Sequence, residues 1–270
     1  MLMLLIGALF GGALGCGLGF SHAASPAWSI FWGILGFAAA QVGGSLILRS
    51  RMKKIMEGMQ AIMAEGQRHL QQRANQMQLR PPGSAKQMIE EMERAQKPYL
   101  LRALERTKEF EPYHKWGSML KRQTATVRMQ LNYQLRNFAE VDRLMPECIV
   151  LDPMTTAMKL ARMHVRKDPE QDKFFDRQVK RLRYGQGALI YSLQAWSLVE
   201  RGDIRGAQAV LTRACEKMEN ETVKRNLDHL KNNRVKHFSN SGLGDEWYAL
   251  GLEQPKIKFQ RPRGQAAMMR

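Results

Sequence analysis

The first 48 residues contain no Lys, Arg, Asp or Glu, so all 42 basic and all 25 acidic residues lie between Arg49 and Arg270. Two apolar runs fill that head, residues 1–20 and residues 27–48. A helix rises about 1.5 Å per residue, and about 20 apolar residues cross a hydrocarbon core roughly 30 Å thick. Both runs meet that length. The short stretch between them is turn-forming, with Ser25 suited to cap the second helix and Pro26 to open it. The head therefore predicts a transmembrane helical hairpin. Trp28 and Trp32 lie near one end of the second helix, where indoles favour the headgroup level.

A secretory signal peptide competes for the first run, because the Ser-His-Ala-Ala stretch at 21–24 resembles a small-residue cleavage site. No positive residue precedes the run, which argues against that reading. Even after cleavage the second run would remain as an anchor. Arg49, Arg51, Lys53 and Lys54 follow the second run directly. Cations beside a span stay on the cytoplasmic side, so two spans put both the N-terminus and the body of the chain there. The same four cations are the expected contacts to anionic lipid.

Small residues recur at intervals of four in both runs. They are Gly7, Gly11, Gly15 and Gly19 in the first, and Gly36, Ala40 and Gly44 in the second. Such a face lets helix backbones approach closely in lipid. It serves either to pack the hairpin or to join copies into a homo-oligomer. Residues 49–80 then carry seven Lys or Arg and two Glu. Met52, Ile55, Met56, Met59, Ile62, Met63, Leu70 and Met77 recur there at helical spacing. This basic amphipathic juxtamembrane helix has two readings: it lies on anionic lipid, or it continues the span outward as a packed helix. A linker at 81–84, Pro-Pro-Gly-Ser, breaks it, and Ser84 with Gln87 resembles a capping box for a helix over about 85–110.

Beyond Tyr113 the chain reads as helices joined by short turns. Strand-like alternation is confined to a weak Ile257 and Phe259 pair, so the expected class is all-α. Residues 188–221 carry Tyr191, Ala195 and Leu198, then a Gly202-Asp203 turn, then Ala207, Leu211 and Ala214. This order of aromatic, small and large residues resembles the tetratricopeptide repeat, a 34-residue helix-turn-helix unit. Residues 122–155 resemble it less closely, with Asn137-Phe138 at the turn, Val141 at the small position, Met145 and Cys148 following, and Pro153 closing the unit. Ala125 stands where the family has its first aromatic, and Glu219 where the 188–221 unit should have its final proline. Residues 156–187, about one repeat long, read as a degenerate helix pair.

The resemblance implies a short helical-repeat solenoid over 85–240, whose stacked pairs bury apolar faces that no pair can bury alone. It also implies a concave surface for a protein partner. The groove candidates by position are Gln123, Thr126, Gln130 and Tyr133, and Ser192, Trp196 and Val199. The competing reading packs Tyr133 and Trp196 against neighbouring helices. Residues 241–270 read as a basic, flexible tail, with Lys256, Lys258, Arg261, Arg263 and Arg270 after Glu253.

No catalytic, nucleotide-binding or cofactor motif is present: there is no GxxxxGK[ST] loop, GxSxG elbow or dinucleotide fingerprint. The six histidines lack metal-ligand spacing, and Cys16, Cys148 and Cys215 are too far apart for a zinc motif. The expected role is therefore non-enzymatic, a membrane-anchored scaffold that recruits a protein partner at the cytoplasmic face. The net charge of +17 supports an alternative, a membrane-tethered nucleic-acid or ribosome binder. Lys173, Arg177, Lys180, Arg181 and Arg183 form its densest cluster. Few aromatics interleave with these cations, which weakens that alternative.

Overall fold

The computed structural model describes the backbone of residues 2–20, 26–79 and 84–255. Among the described residues every regular element is helical, as the patterning predicts. The loop at 21–25, most of the 81–84 linker, the Ile257 and Phe259 pair and the cations after Pro255 lie outside the described residues. The chain divides into two compact units: residues 1–82 with 86–149, and residues 150–270 with 83–85. That division falls inside the stretch expected to form one 85–240 domain.

In the first unit, α1 (Leu2–Phe20) is followed by α2 (Pro26–Leu79), one unbroken helix of 54 residues. At 1.5 Å per residue it is about 80 Å long. The expected division at residue 48 does not occur. No proline interrupts 27–80, and Gly58 and Gly66 alone cost too little to break a helix that packs along its length. Among the described residues α2 is the one helix long and apolar enough to cross a membrane; the described apolar run of α1, Leu5–Gly17, is shorter.

The polar half of α2 is held by α3 (Ala85–Arg106) and α4 (Ser118–Gln134). Ile55 and Met59 are buried with Leu100, Ala103, Phe110 and Leu131, and Met52, Ile62 and Met63 pack around them. Most of the Met/Ile stripe is thus a packed seam, in line with the reading of a packed helix that continues outward, while Met56 stays exposed. Tyr99 sits so close over Gly66 that a Cβ there would stand 2.9 Å from its ring, and Arg106 covers Gly58. A 3₁₀ stretch, Thr107–Trp116, replaces the last turn of the expected 85–110 helix, and Pro112 within it has no N–H to extend an α-helix. Arg128 of α4 ties this stretch down, donating to Thr107 Oγ1 at 2.8 Å and to Glu111 at 2.7 Å. α5 (Phe138–Leu144) completes the unit, with Val141 and Leu144 buried.

The second unit starts at α6 (Pro153–Val165), where Pro153 opens a helix capped by Asp152, whose carboxylate accepts the Thr155 N–H at 2.7 Å. Then come α7 (Gln171–Val179), α8 (Ala188–Glu200), α9 (Ile204–Lys217) and α10 (Glu221–Lys231). The α8–α9 turn uses Gly202 at φ +81°, and Asp203 caps α9 through the Gly206 N–H at 2.8 Å. Tyr191, Ala195, Ala207, Leu211 and Ala214 are all fully buried there. α8 packs against α6 and α9, and α9 against α10.

The expectation of a flexible tail from residue 241 is corrected over its described part. Residues 241–243 form a 3₁₀ turn and α11 (Asp245–Ala249) follows, with Trp247 and Leu250 buried. Two aromatic or aliphatic side chains in a short span are enough to dock such a segment when a complementary apolar surface is present.

Candidate functional site

Three features carry the sequence-predicted functions: the apolar head, the cations after it, and the faces of the helical pairs.

In the head, α1 runs antiparallel to the first half of α2. Gly7 faces Phe37 and Gln41, whereas Gly11 faces Gly33 and Phe37. A Cβ on Gly11 would stand 2.6 Å from the Gly33 carbonyl oxygen, and one on Gly36 would stand 2.6 Å from Leu14 Cδ1. Gly7, Gly11 and Gly36 are buried, and Gly15, Ala40 and Gly44 half-buried. The packing of Gly19 lies outside the described residues. The sequence reading missed Gly33, which meets both Gly11 and Gly15, because it sits three residues from Gly36 and outside the four-residue interval. Around this seam the large side chains point outward. Leu9 is 73% exposed, Ile30 65%, Ile34 65% and Ile47 67%.

Arg49, Arg51, Lys53 and Lys54 are all exposed, directly after the apolar half of α2. Lys53 lies 3.6 Å from Glu57 one turn on.

The predicted groove is only partly available. Tyr133 and Ser192 are buried, so neither can meet a partner. Tyr133 instead packs edge-on against Phe138 across the α4–α5 turn. Thr126 accepts the Ile149 N–H at 2.9 Å, and Gln130 and Val199 are half-buried. Gln123 alone of the seven is exposed. The two groups of candidates belong to different units.

Trp196 is covered by the chain's own C-terminal segment. Its indole N–H donates to Glu253 at 2.8 Å, the Trp247 indole donates to the other Glu253 oxygen at 2.9 Å, and the two rings meet edge-on at 5.7 Å. Asn240, fully buried, donates to the Ser192 carbonyl at 3.1 Å and fastens the start of this segment to α8. The sequence signal for this cover was the pair of aromatics and the acid in Trp247, Tyr248 and Glu253. A flexible-tail reading passes over it because the basic residues beyond dominate the composition.

Beneath Trp196 runs a polar network between α6, α7 and α8. His164 Nδ1 lies 2.7 Å from Ser197 Oγ, which also accepts from Gln171 at 2.8 Å. Gln194 donates to Asp172 at 2.6 Å, and Arg201 clamps the same carboxylate at 2.8 Å. Burial, with help from the Arg201 charge, holds the His164 imidazole below its usual value. Arg201 and Gln194 hold the Asp172 carboxyl low against the opposing effect of burial. Ser197 is fully buried beneath the half-exposed His164, and the pair with Gln171 ties three helices together.

Among the described residues no three His, Cys, Asp or Glu side chains are placed to hold a metal. The basic cluster lies on and just past α7, with Lys173 paired to Glu170 at 2.7 Å and Arg177, Lys180, Arg181 and Arg183 exposed. Tyr184, which the sequence reading did not single out, is 76% exposed beside them. No family profile, curated protein or solved structure matches the chain.

Proposed function

We propose that the protein is a membrane-anchored scaffold: α1 and the first half of α2 cross the bilayer as a hairpin, and the helical body recruits a protein partner on the cytoplasmic side. The observation that carries this reading is the concentration of exposed large apolar side chains on the outer faces of α1 and the first half of α2. Water would penalise such a continuous apolar surface at about 25 cal/mol per Å², whereas lipid does not. The backbone of both segments is helical, as the hydrocarbon demands. Arg49, Arg51, Lys53 and Lys54 then favour the cytoplasmic side.

The recruiting role is supported by the helical pairs α6–α7 and α8–α9 with α10, joined by short turns as in tetratricopeptide-like arrays. With Tyr133 and Ser192 buried, the positions left for a partner are Gln123 with the half-buried Thr126 and Gln130 in the first unit and, separately, the half-buried Val199 and exposed Val165 in the second. Alkaline carbonate washing should leave the protein in the pellet, and a C-terminal reporter active only in the cytoplasm should be active. A photo-crosslinker at Val165 or Val199 should trap a protein. Release by carbonate, or a reporter signal on the far side, overturns the anchor; absence of any protein adduct overturns the recruiting role.

A second reading, nucleic-acid binding, is favoured by Tyr184 standing exposed next to Lys180, Arg181 and Arg183. An exposed ring among cations suits base stacking beside phosphate contacts. Binding of single-stranded RNA that collapses between about 50 and 200 mM salt, and weakens on Tyr184→Ala, would support it. Salt-insensitive protein capture would favour the scaffold.

A further inference from the structure

The 3₁₀ stretch Thr107–Trp116 occupies an unusual position in the first unit. It lies against α2 and also against α1. Because α1 runs antiparallel to α2, with Gly7 beside Gln41 and Gly11 beside Gly33, the N-terminal end of α1 is the one next to the Arg49 end of the apolar half. Phe110 is anchored in the cluster with Ile55. Ile55 is about two turns beyond Leu48, about 10 Å along the helix axis. The headgroup region on each side of a bilayer is itself several ångströms deep. A segment that starts beside Arg106 over Gly58 and reaches back to α1 therefore comes down onto the headgroup level.

Its composition suits that level. Trp116 and Tyr113 are half-exposed, Lys115 is exposed, and Met119 at the start of α4 is 59% exposed. Indole and phenol rings favour the interface between hydrocarbon and water, and a neighbouring ammonium favours phosphate. The acids of the stretch are already engaged. Glu109 is paired with Arg106 at 2.9 Å, and Glu111 with Arg128 at 2.7 Å, so their repulsion from an anionic surface is largely cancelled. Lys108 pairs with Glu105 at 2.9 Å. The exposed cations of α2, Arg49, Arg51, Lys53 and Lys54, lie on the same level of the helix.

We propose that residues 113–119 form a foot that rests on the anionic bilayer surface beside the span, giving the cytoplasmic unit a second membrane contact through Trp116, Met119 and Lys115. This rests on the reading of α1 and α2 as membrane-spanning. A second contact set apart from the α2 axis would stop the first unit from tilting about a single helix.

The test uses the full chain in phosphatidylcholine vesicles with a minor share of phosphatidylglycerol. An environment-sensitive nitrobenzoxadiazole label is placed at Met119→Cys or, as a control, at Leu35→Cys, with the three native cysteines replaced by alanine. A spin label on the lipid headgroup should quench the label at 119 by roughly half, and an acyl-chain spin label should quench the label at 35. Lys115→Glu, a change at an exposed position, should weaken headgroup quenching at 119, as should omission of phosphatidylglycerol. Quenching at 35 without quenching at 119 overturns the foot and leaves the spans standing. Loss at both positions overturns the spans as well. Quenching at 119 that ignores both Lys115→Glu and lipid charge overturns the proposed anionic contact.

Discussion

His164 and Asp172 have opposite charge preferences, and both preferences are set by their immediate surroundings. The imidazole is packed against Trp196 and bonded to Ser197, and its burial, aided by the Arg201 guanidinium and opposed by Glu200, disfavours its charged form. In the unfolded chain the same ring titrates near 6.5. As pH falls through that value, the unfolded state takes up the proton first, and stability drops until the lower folded value is reached. Asp172 behaves differently. Its carboxylate, held low by Arg201, stabilises the fold above about 3.8 and loses that contribution as pH falls through its folded value. Thermal melts on acidification should therefore show two successive losses, and His164→Asn should shrink the first, to which the partly buried His114 also contributes, while leaving the second. A wild-type melting temperature flat between neutral pH and the carboxylate range would contradict the burial of this ring.

The helical elements depend on which residues allow close approach. Gly11 and Gly12 are neighbours in sequence, yet a Cβ on Gly11 would stand against the Gly33 carbonyl while one on Gly12 would meet open space. Gly11→Leu should therefore separate α1 from α2 and lower the melting temperature in detergent, and Gly12→Leu should leave it within error of the parent. Equal effects from the two changes would mean that the seam is not where the packing places it. The same logic explains α2. Its lower half is polar on one side and buries Ile55 and Met59 on the other, so packing on α3 extends a helix that its composition alone would divide at residue 48. A continuous helix of this kind transmits its orientation from apolar to polar half without a flexible joint.

At the level of the molecule, each unit has its own core. The second is built from α6–α11, with Tyr191, Leu193, Leu211, Leu230 and Trp247 among its buried residues. A fragment of residues 150–255 should therefore fold by itself and unfold in one cooperative transition with urea, free of the apolar head. A fragment that lacks near-ultraviolet circular dichroism, despite helical far-ultraviolet signal, would show that this core needs the rest of the chain.

Much of this architecture was legible in the residues. The charge-free head, the Gly202-Asp203 turn and the buried positions Ala195, Ala207 and Leu211 are local patterns, since helical periodicity and glycine geometry act within a few residues. Gln123, Thr126, Gln130 and Trp196 were legible only as members of a helix face; whether that face stayed open was not. That choice depended on residues far away in sequence. Trp196 is covered by Trp247 and Glu253 some fifty positions on, Ser192 by Asn240, and the Met/Ile stripe of α2 by Leu100 and Leu131. The sequence by itself determined that the chain is helical, where its apolar head ends and where its turns fall. Only the tertiary structure decided which apolar faces are spent on one another, because burial is a property of pairs of surfaces and no single stretch of sequence names its partner.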